Sequence, residues 1–310
     1  MTIGHTIFGS GKQGVIVLHG WFGDYSVFEP MLPYLDTETF TYAFVDFRGY
    51  GQSRNQAGAH TMAEISADAV ALADHLGWKR FHVVGHSMGG TTARYVAGVR
   101  PDLVASVTSI GSPHFGSKVA DVIQASPLEG PAVAIGNAIG GLIALFSGDP
   151  SQQINFLTAL ESLNTAGSAA YNAAYPAGVR TGSCRSTPKR NTGPWWWPNW
   201  VSDYSVHDGA HQVNGVRYYS WSGVYNPLFN SSPFDPIDGI MAGTSLLHGG
   251  AENDGLVDRC STHLGDVIRD DYTQNHLDEV NLLFGLRGLW TSAPLPLYTA
   301  HARRLKDAGL

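Results

Sequence analysis

Charge is what this sequence carries least of for its size. Only 15% of its 310 residues are Asp, Glu, Lys or Arg, and they leave a net charge of −7. With a pI near 6.0 and no basic stripe to meet phosphates, the composition excludes nucleic acid as a partner. Cysteine is nearly missing as well, with Cys184 and Cys260 alone. Two buried free thiols and one disulfide are both open readings. If bonded, the pair closes a loop of about 77 residues, worth about 4–5 kcal/mol in the chain-entropy model, and points to an oxidising compartment. Long apolar runs are lacking too. The longest, 132–146, is broken by Asn137 and three glycines and falls short of the ~20 residues that span a bilayer. No charged-then-apolar leader opens the chain, so a signal peptide is expected to be absent or already removed.

Glycine, at 37 residues, and an apolar fraction of 43% are what the chain has in quantity. That composition suits a globular protein with a substantial core, and no linker or internal repeat divides it, so one domain over 1–310 is expected. The most informative glycines lie in Phe81-His82-Val83-Val84-Gly85-His86-Ser87-Met88-Gly89-Gly90. An apolar run drives into G-x-S-x-G, and Thr91–Val99 follows with helical character. A nucleophile elbow needs this strand–turn–helix context to hold a serine in a strained, exposed turn.

Before the elbow, strand-like runs over Ile3–Phe8, Val15–Leu18 and Phe40–Phe47 precede a helix over 62–77 that stops on Gly77. After it, Leu103–Ile110 and Val216–Gly223 read as strands. Alternating strands and helices predict an α/β fold with a mostly parallel, doubly wound sheet. The second strand runs into His19-Gly20-Trp21-Phe22-Gly23, a glycine-flanked turn where a sheet of this kind exposes backbone N–H groups; Trp21 is a candidate donor. Residues 129–148 are apolar but hold glycines that a core helix would tolerate poorly, which predicts a flap or lid over a cleft. Residues 181–212 read as an inserted excursion containing Pro194-Trp195-Trp196-Trp197-Pro198-Asn199-Trp200, either an aromatic rim for lipid or a loop packed on the body.

A serine needs a base, and the base needs an orienting acid. In α/β-hydrolases these follow the serine as acid, then histidine. Among the late histidines, His301 lies beside Arg303 and Arg304 on an expected solvated face, and His263 precedes a strand. His276 sits in a polar loop after that strand and is the better candidate. His114 comes too early for the base and is expected to serve structure or the cleft. For the acid, Asp254 on a glycine-marked turn competes with Asp235, Asp238, Asp258 and Asp266.

From Gly85 onward the chain resembles the true lipases of the Pseudomonas–Burkholderia type. The resemblance rests on Arg94-Tyr95-Val96-Ala97, Arg100-Pro101-Asp102-Leu103, Val213-Asn214-Gly215-Val216, Asn253-Asp254-Gly255-Leu256-Val257, and Val267-Ile268-Arg269-Asp270 followed by Asn275-His276-Leu277-Asp278-Glu279-Val280-Asn281. It implies a triad of Ser87, Asp254 and His276, an oxyanion hole from the backbone N–H groups of Trp21 and Met88, a Cys184–Cys260 disulfide, and a helical lid at 129–148. It also implies a structural calcium held by the carboxylates of Asp235 and Asp278 and the backbone carbonyls of Leu282 and Leu286; oxygen ligands of this kind suit calcium.

Val45-Asp46-Phe47-Arg48-Gly49-Tyr50-Gly51-Gln52-Ser53 and the elbow itself resemble instead the broader esterase and haloperoxidase-like hydrolases. Methionine stands after the serine where those lipases often have His or Gln. These resemblances imply a secreted triacylglycerol lipase acting on lipid at a lipid–water interface as a monomer, with a dedicated foldase as partner. The alternative is a soluble short-chain carboxylesterase or perhydrolase.

Overall fold

The computed structural model describes residues 2–21, 23–125, 156–185, 189–191, 193–196, 200–202, 206–281, 285–288 and 290–310. The expected lid at 129–148 and Leu282 lie outside these residues, as does part of the tryptophan loop.

The strands are β1 (His5–Gly9), β2 (Gln13–Leu18), β3 (Phe40–Val45), β4 (Phe81–His86), β5 (Val104–Ile110), β6 (Lys189–Asn191), β7 (Trp200–Ser202), β8 (Val206–His207), β9 (Gln212–Val213), β10 (Val216–Gly223) and β11 (Asp266–Tyr272). The α-helices are α1 (Met62–His75), α2 (Met88–Val99), α3 (Lys118–Ala125), α4 (Phe156–Leu163), α5 (Thr165–Ala174), α6 (Pro236–Ser245) and α7 (Leu295–Asp307). The nine-stranded main sheet runs β1-β3-β2-β4-β5-β10-β11-β8, with β9 paired to β10; β6 and β7 form a separate two-stranded ribbon. Strands β3 to β11 along this path are parallel, and β1 and β8 close the two edges antiparallel. The expected α/β class and mostly parallel sheet are therefore present.

The inner strands can be parallel because both faces are covered, and β2 carries a continuous apolar run, Val15–Leu18, for that reason. In β2, Val15–Leu18 are all buried, as is the whole of β5. Register is direct across the centre, with Ile16 opposite Val83 and Val83 opposite Val107. The expected strand over Phe40–Phe47 stops at Val45, because Asp46 turns inward and accepts from the Tyr25 and Gln52 N–H groups at 2.8 and 2.9 Å. Helix α1 starts on Thr61, whose hydroxyl accepts from Glu64 N–H at 3.2 Å, a cap worth about 1 kcal/mol.

His301 lies against the sheet, not on the solvated face expected of it. Only 5% of it is exposed, its Nε2 lies 2.7 Å from Thr108 Oγ1, and its ring meets the edge of Trp221 at 5.3 Å. Helix α7 buries His301, Ala302 and Leu305 and leaves Arg303 outside.

Histidines recur in this interior. Burial pushes His19 and His82 down to about 4, and His86, His114 and His301 well below the ordinary imidazole value. Each binds its proton more weakly folded than unfolded, so between pH 6.5 and about 4 the unfolded chain takes up more protons and stability falls as pH falls. Burial acts oppositely on four carboxyls: Asp46 and Asp235 are raised, Asp278 is raised to about 7, and Glu279 is raised well above its ordinary value. Five histidines outweigh these four, at up to about 1.4 kcal/mol per pH unit for each group. A thermal melt series should therefore show the midpoint falling as pH is lowered from 7 to 5; a flat or rising midpoint would contradict neutral burial of these rings.

Candidate active site

Strand β4 delivers Ser87 at its carboxyl end, with φ 57° and ψ −127°. A non-glycine residue with positive φ costs about 1–3 kcal/mol and persists only when its surroundings over-determine it. Here Ser87 N–H donates to Ile110 O at 2.9 Å, and Gly90 N–H returns to Ser87 O at 3.1 Å. The glycines around it are required by contact. A Cβ at Gly85 would overlap the Gly89 backbone, and one at Gly89 would overlap the Leu18 carbonyl, so β4, α2 and β2 meet backbone to backbone. Helix α2 begins at Met88, which places its N-terminal dipole beside the serine.

The turn after β2 is held by His19. Its Nδ1–H donates to Gly20 O at 2.6 Å, its Nε2 accepts from Phe47 N–H at 3.1 Å, and its ring packs on Phe47 at 4.2 Å. Only neutral imidazole can both donate and accept, in keeping with the lowering of His19 by burial. The turn so fixed carries Trp21, which is buried.

Asp254 and His276 lie together although 22 residues separate them. His276 Nδ1–H donates to Asp254 Oδ2 at 2.7 Å, and the backbones are tied again by His276 N–H to Asp254 O at 2.8 Å. The other carboxylate oxygen accepts from the Leu256 and Val257 N–H groups at 2.9 and 2.7 Å. His276 Nε2 is left without a hydrogen-bond partner among the described residues. The ring therefore has one nitrogen anchored and the other available.

His86, immediately before the serine, fastens the histidine loop to the elbow. Its Nε2–H donates to His276 O at 2.8 Å, and the two rings stand 4.6 Å apart. Behind it lies Glu279, fully buried, with Oε1 accepting from Gly223 N–H at 2.6 Å and Oε2 at 3.5 Å from His86 Nε2. Burial first, and then the charge of Asp254, raise the Glu279 carboxyl well above its ordinary value.

Ser87, His276 and Trp21 line a single cleft whose remaining wall is apolar except for Ser117, and includes Ile123, Leu160, Leu163 and Leu256. Of the sequence-predicted site residues, the structure thus brings Ser87, Asp254, His276 and Trp21 together and puts Met88 next to the serine. His263 is not among them. It lies in a separate buried network with Asp208 and Asp270, beside the Cys184–Cys260 disulfide, whose Cα atoms are 5.8 Å apart. Asp258 is occupied with His248 at 2.9 Å. His114 is buried, with Nε2 2.7 Å from Ser109 Oγ, a structural place as expected.

Asp235 and Asp278 are both buried, as is Asp238 in the first turn of α6. Asp235 caps α6 by accepting from Ile237 N–H at 2.8 Å. Asp278 accepts from Asn275 N–H at 3.0 Å, and Asp238 accepts from Asn275 Nδ2 at 2.9 Å. Burial raises the Asp278 carboxyl to about 7, with the charges of Asp238 and Asp235 pushing the same way and Arg287 opposing. Leu286 is partly exposed.

Of the tryptophan loop, Trp195 and Trp196 are described and stand in solvent, 85% and 68% exposed, with their rings edge to face. The reading of this loop as packed on the body fails for these two side chains.

Three residues that shape the site were not singled out from sequence: His19, His86 and Glu279. His86 carried a signal, since it sits inside the elbow pentapeptide. Glu279 follows Asp278 in the quoted motif, but nothing local marks it as buried.

The α/β-hydrolase fold family profile matches residues 14–258. A triacylglycerol lipase of Vibrio cholerae serotype O1 is 40% identical, over 96% of this chain and 89% of its own length. One from Pseudomonas fragi is 35% identical, over 85% and 90%. The Vibrio alignment leaves out too little to miss the front third, so the lipase likeness runs through the elbow and is not confined to the back of the chain. In fold, the mature lipase BlEst2 of Bacillus licheniformis superposes with a TM-score of 0.55 at 16% identity, covering 89% of this chain and 92% of that one. With the serine on a strained strand–helix turn and the acid and histidine following it in chain order, the chain belongs to the α/β-hydrolase fold family.

Proposed function

We propose that the chain is a triacylglycerol lipase, a serine ester hydrolase working through an acyl-enzyme. The observation that carries this reading is the cleft itself: Ser87 and the Asp254-anchored His276 share one apolar-walled space suited to an acyl chain. The lipase relatives at 35–40% identity support the triglyceride substrate.

His276 Nε2 takes the Ser87 hydroxyl proton as Oγ attacks the ester carbonyl, and Asp254 holds the ring and stabilises its charged form. The Trp21 and Met88 N–H groups receive the developing oxyanion, a contact worth about 3–4 kcal/mol per donor in comparable sites. The imidazolium then gives its proton to the departing alcohol. Water, deprotonated by the same nitrogen, releases the fatty acid. His86 acts on this sequence indirectly, by holding the His276 backbone where the ring can reach.

A calcium ion fits the acidic cluster on the far side of this loop. Three buried carboxylates, Asp235, Asp238 and Asp278, share it; burial and the charges of Asp238 and Asp235 raise the Asp278 carboxyl, burial and Asp238 raise that of Asp235, and a hard divalent cation would supply the missing positive charge. Asp235 and Asp278 would hold it with the carbonyls of Leu282 and Leu286. Its contribution would be to position the loop that carries His276, not to act on the ester. The disulfide supports a life outside the reducing cytoplasm, and so secretion; the lipase resemblance supports folding with the help of a dedicated foldase.

Three measurements test these readings. The wild-type chain should hydrolyse emulsified long-chain triglyceride; activity confined to a soluble short ester would replace the lipase by a carboxylesterase. Ser87→Ala should abolish fluorophosphonate labelling and lower kcat by about 10⁴–10⁶-fold, and Asp254→Asn by about 10⁴-fold, without loss of the fold. Chelation should lower the melting temperature and added calcium restore it, whereas an Asp278→Asn variant should melt at the chelated temperature with or without the ion. Identical melts of the wild type with and without chelator would remove calcium from the account.

A further inference from the structure

The disulfide and the histidine network beside it lie apart from the serine, acid and histidine of the cleft. Cys184 Sγ lies 3.8 Å from His263 Nδ1, and that nitrogen is 2.6 Å from Asp208 Oδ2. All three ligand-type atoms fall within 4.8 Å of one another. A fourth, Cys260 Sγ, is attached to Cys184 through the disulfide. In a tetrahedral zinc site with bonds of about 2.0–2.3 Å, ligand atoms stand roughly 3.3–3.8 Å apart. The thiolate–imidazole spacing already matches, the His263–Asp208 pair has to open by about 0.7 Å, and the two sulfurs part once the bond between them is reduced.

The surroundings resemble those of a metal site more than those of a plain staple. His263 is completely buried, and its other nitrogen, Nε2, is 3.0 Å from Asp270 Oδ2. A carboxylate behind a ligating histidine fixes its tautomer and raises its basicity in metal sites. Asp270 is itself held by Arg259, whose Nη2–H donates to Oδ1 at 2.7 Å. Both ring nitrogens thus face carboxylate oxygens, which only accept, so a proton occupies the gap between Nδ1 and Asp208 that a metal would fill. Both cysteines are only half-buried, which leaves the disulfide within reach of a reductant.

We infer that the reduced chain binds one zinc ion through Cys184, Cys260, His263 and Asp208, and that the disulfide and the metal are alternative closures of the same cross-link. The chemistry balances with a phosphine or dithiol as reductant. Two electrons and two protons convert the disulfide to two thiols while the reductant is oxidised. Zinc, unchanged in oxidation state, then displaces both thiol protons and the proton between His263 and Asp208 into solvent. A chain whose thiols have not yet been oxidised would so keep residues 184 and 260 joined, and the loop that bears Asp254 in place.

The test compares the full oxidised chain, the chain reduced with a phosphine, and a Cys184→Ser/Cys260→Ser variant, each titrated with cobalt(II) and then zinc. The reduced chain should bind one cobalt with a thiolate-to-metal charge-transfer band and tetrahedral visible absorption, keep its native near-UV dichroism, and lose both bands on adding zinc. The oxidised chain and the double-serine variant should show neither band. Asp270→Asn, which leaves all four ligands in place, should weaken zinc binding to the reduced chain by about 10–100-fold. A reduced chain without the thiolate band, or one that shows it only after native dichroism is lost, overturns the site. So does zinc binding equal to that of the double-serine variant.

Discussion

Everything at the site depends on one constraint, the close backbone approach beneath Ser87. Gly85, Gly89 and Leu18 meet where no side chain fits, and that contact lets the chain turn through a positive φ at the serine. The strain is carried by the centre of a parallel sheet in which β4 is flanked by β2 and β5. The nucleophile is thus held at the buried centre of the sheet, while residues supplied by loops are brought to it.

The histidine loop shows how that delivery works. His276 is fixed three times: by its ring to Asp254, by its N–H to the Asp254 carbonyl, and by its own carbonyl to His86. The last of these ties the loop to the elbow, so serine and base share a reference frame. Glu279 sits under the same junction as a buried carboxyl, and Asp278 faces the acidic cluster on the other side. Adjacent residues of one short turn therefore serve the base, the buried core and the candidate ion site.

How much of this was legible in the sequence follows from how local each signal is. The elbow was readable because strand, turn and helix occupy consecutive residues, and strands such as β2 were readable as short apolar runs because both faces of the sheet are covered. Asp254 could not be separated from Asp235, Asp238, Asp258 and Asp266 by residue type or spacing; the lipase resemblance pointed to it, and its contact with His276 sets it apart. His86, Glu279 and His19 find their partners 190, 56 and 28 residues away, and no periodicity records such distances. His301 was misplaced for a related reason: neighbouring arginines suggested solvent, but the rotation of α7 against Trp221 decides its environment.

Strands β5 and β10 are neighbours in the sheet, although residues 111–215 lie between them in sequence. Among its described residues only β8 and β9 join the sheet; the rest brings Ile123, Leu160 and Leu163 to the cleft wall and carries the exposed Trp195 and Trp196. Serine, acid and base all lie outside it. The architecture therefore divides the work: the intervening stretch supplies much of the acyl-facing wall, while the reacting groups come from the elbow and from loops later in the chain.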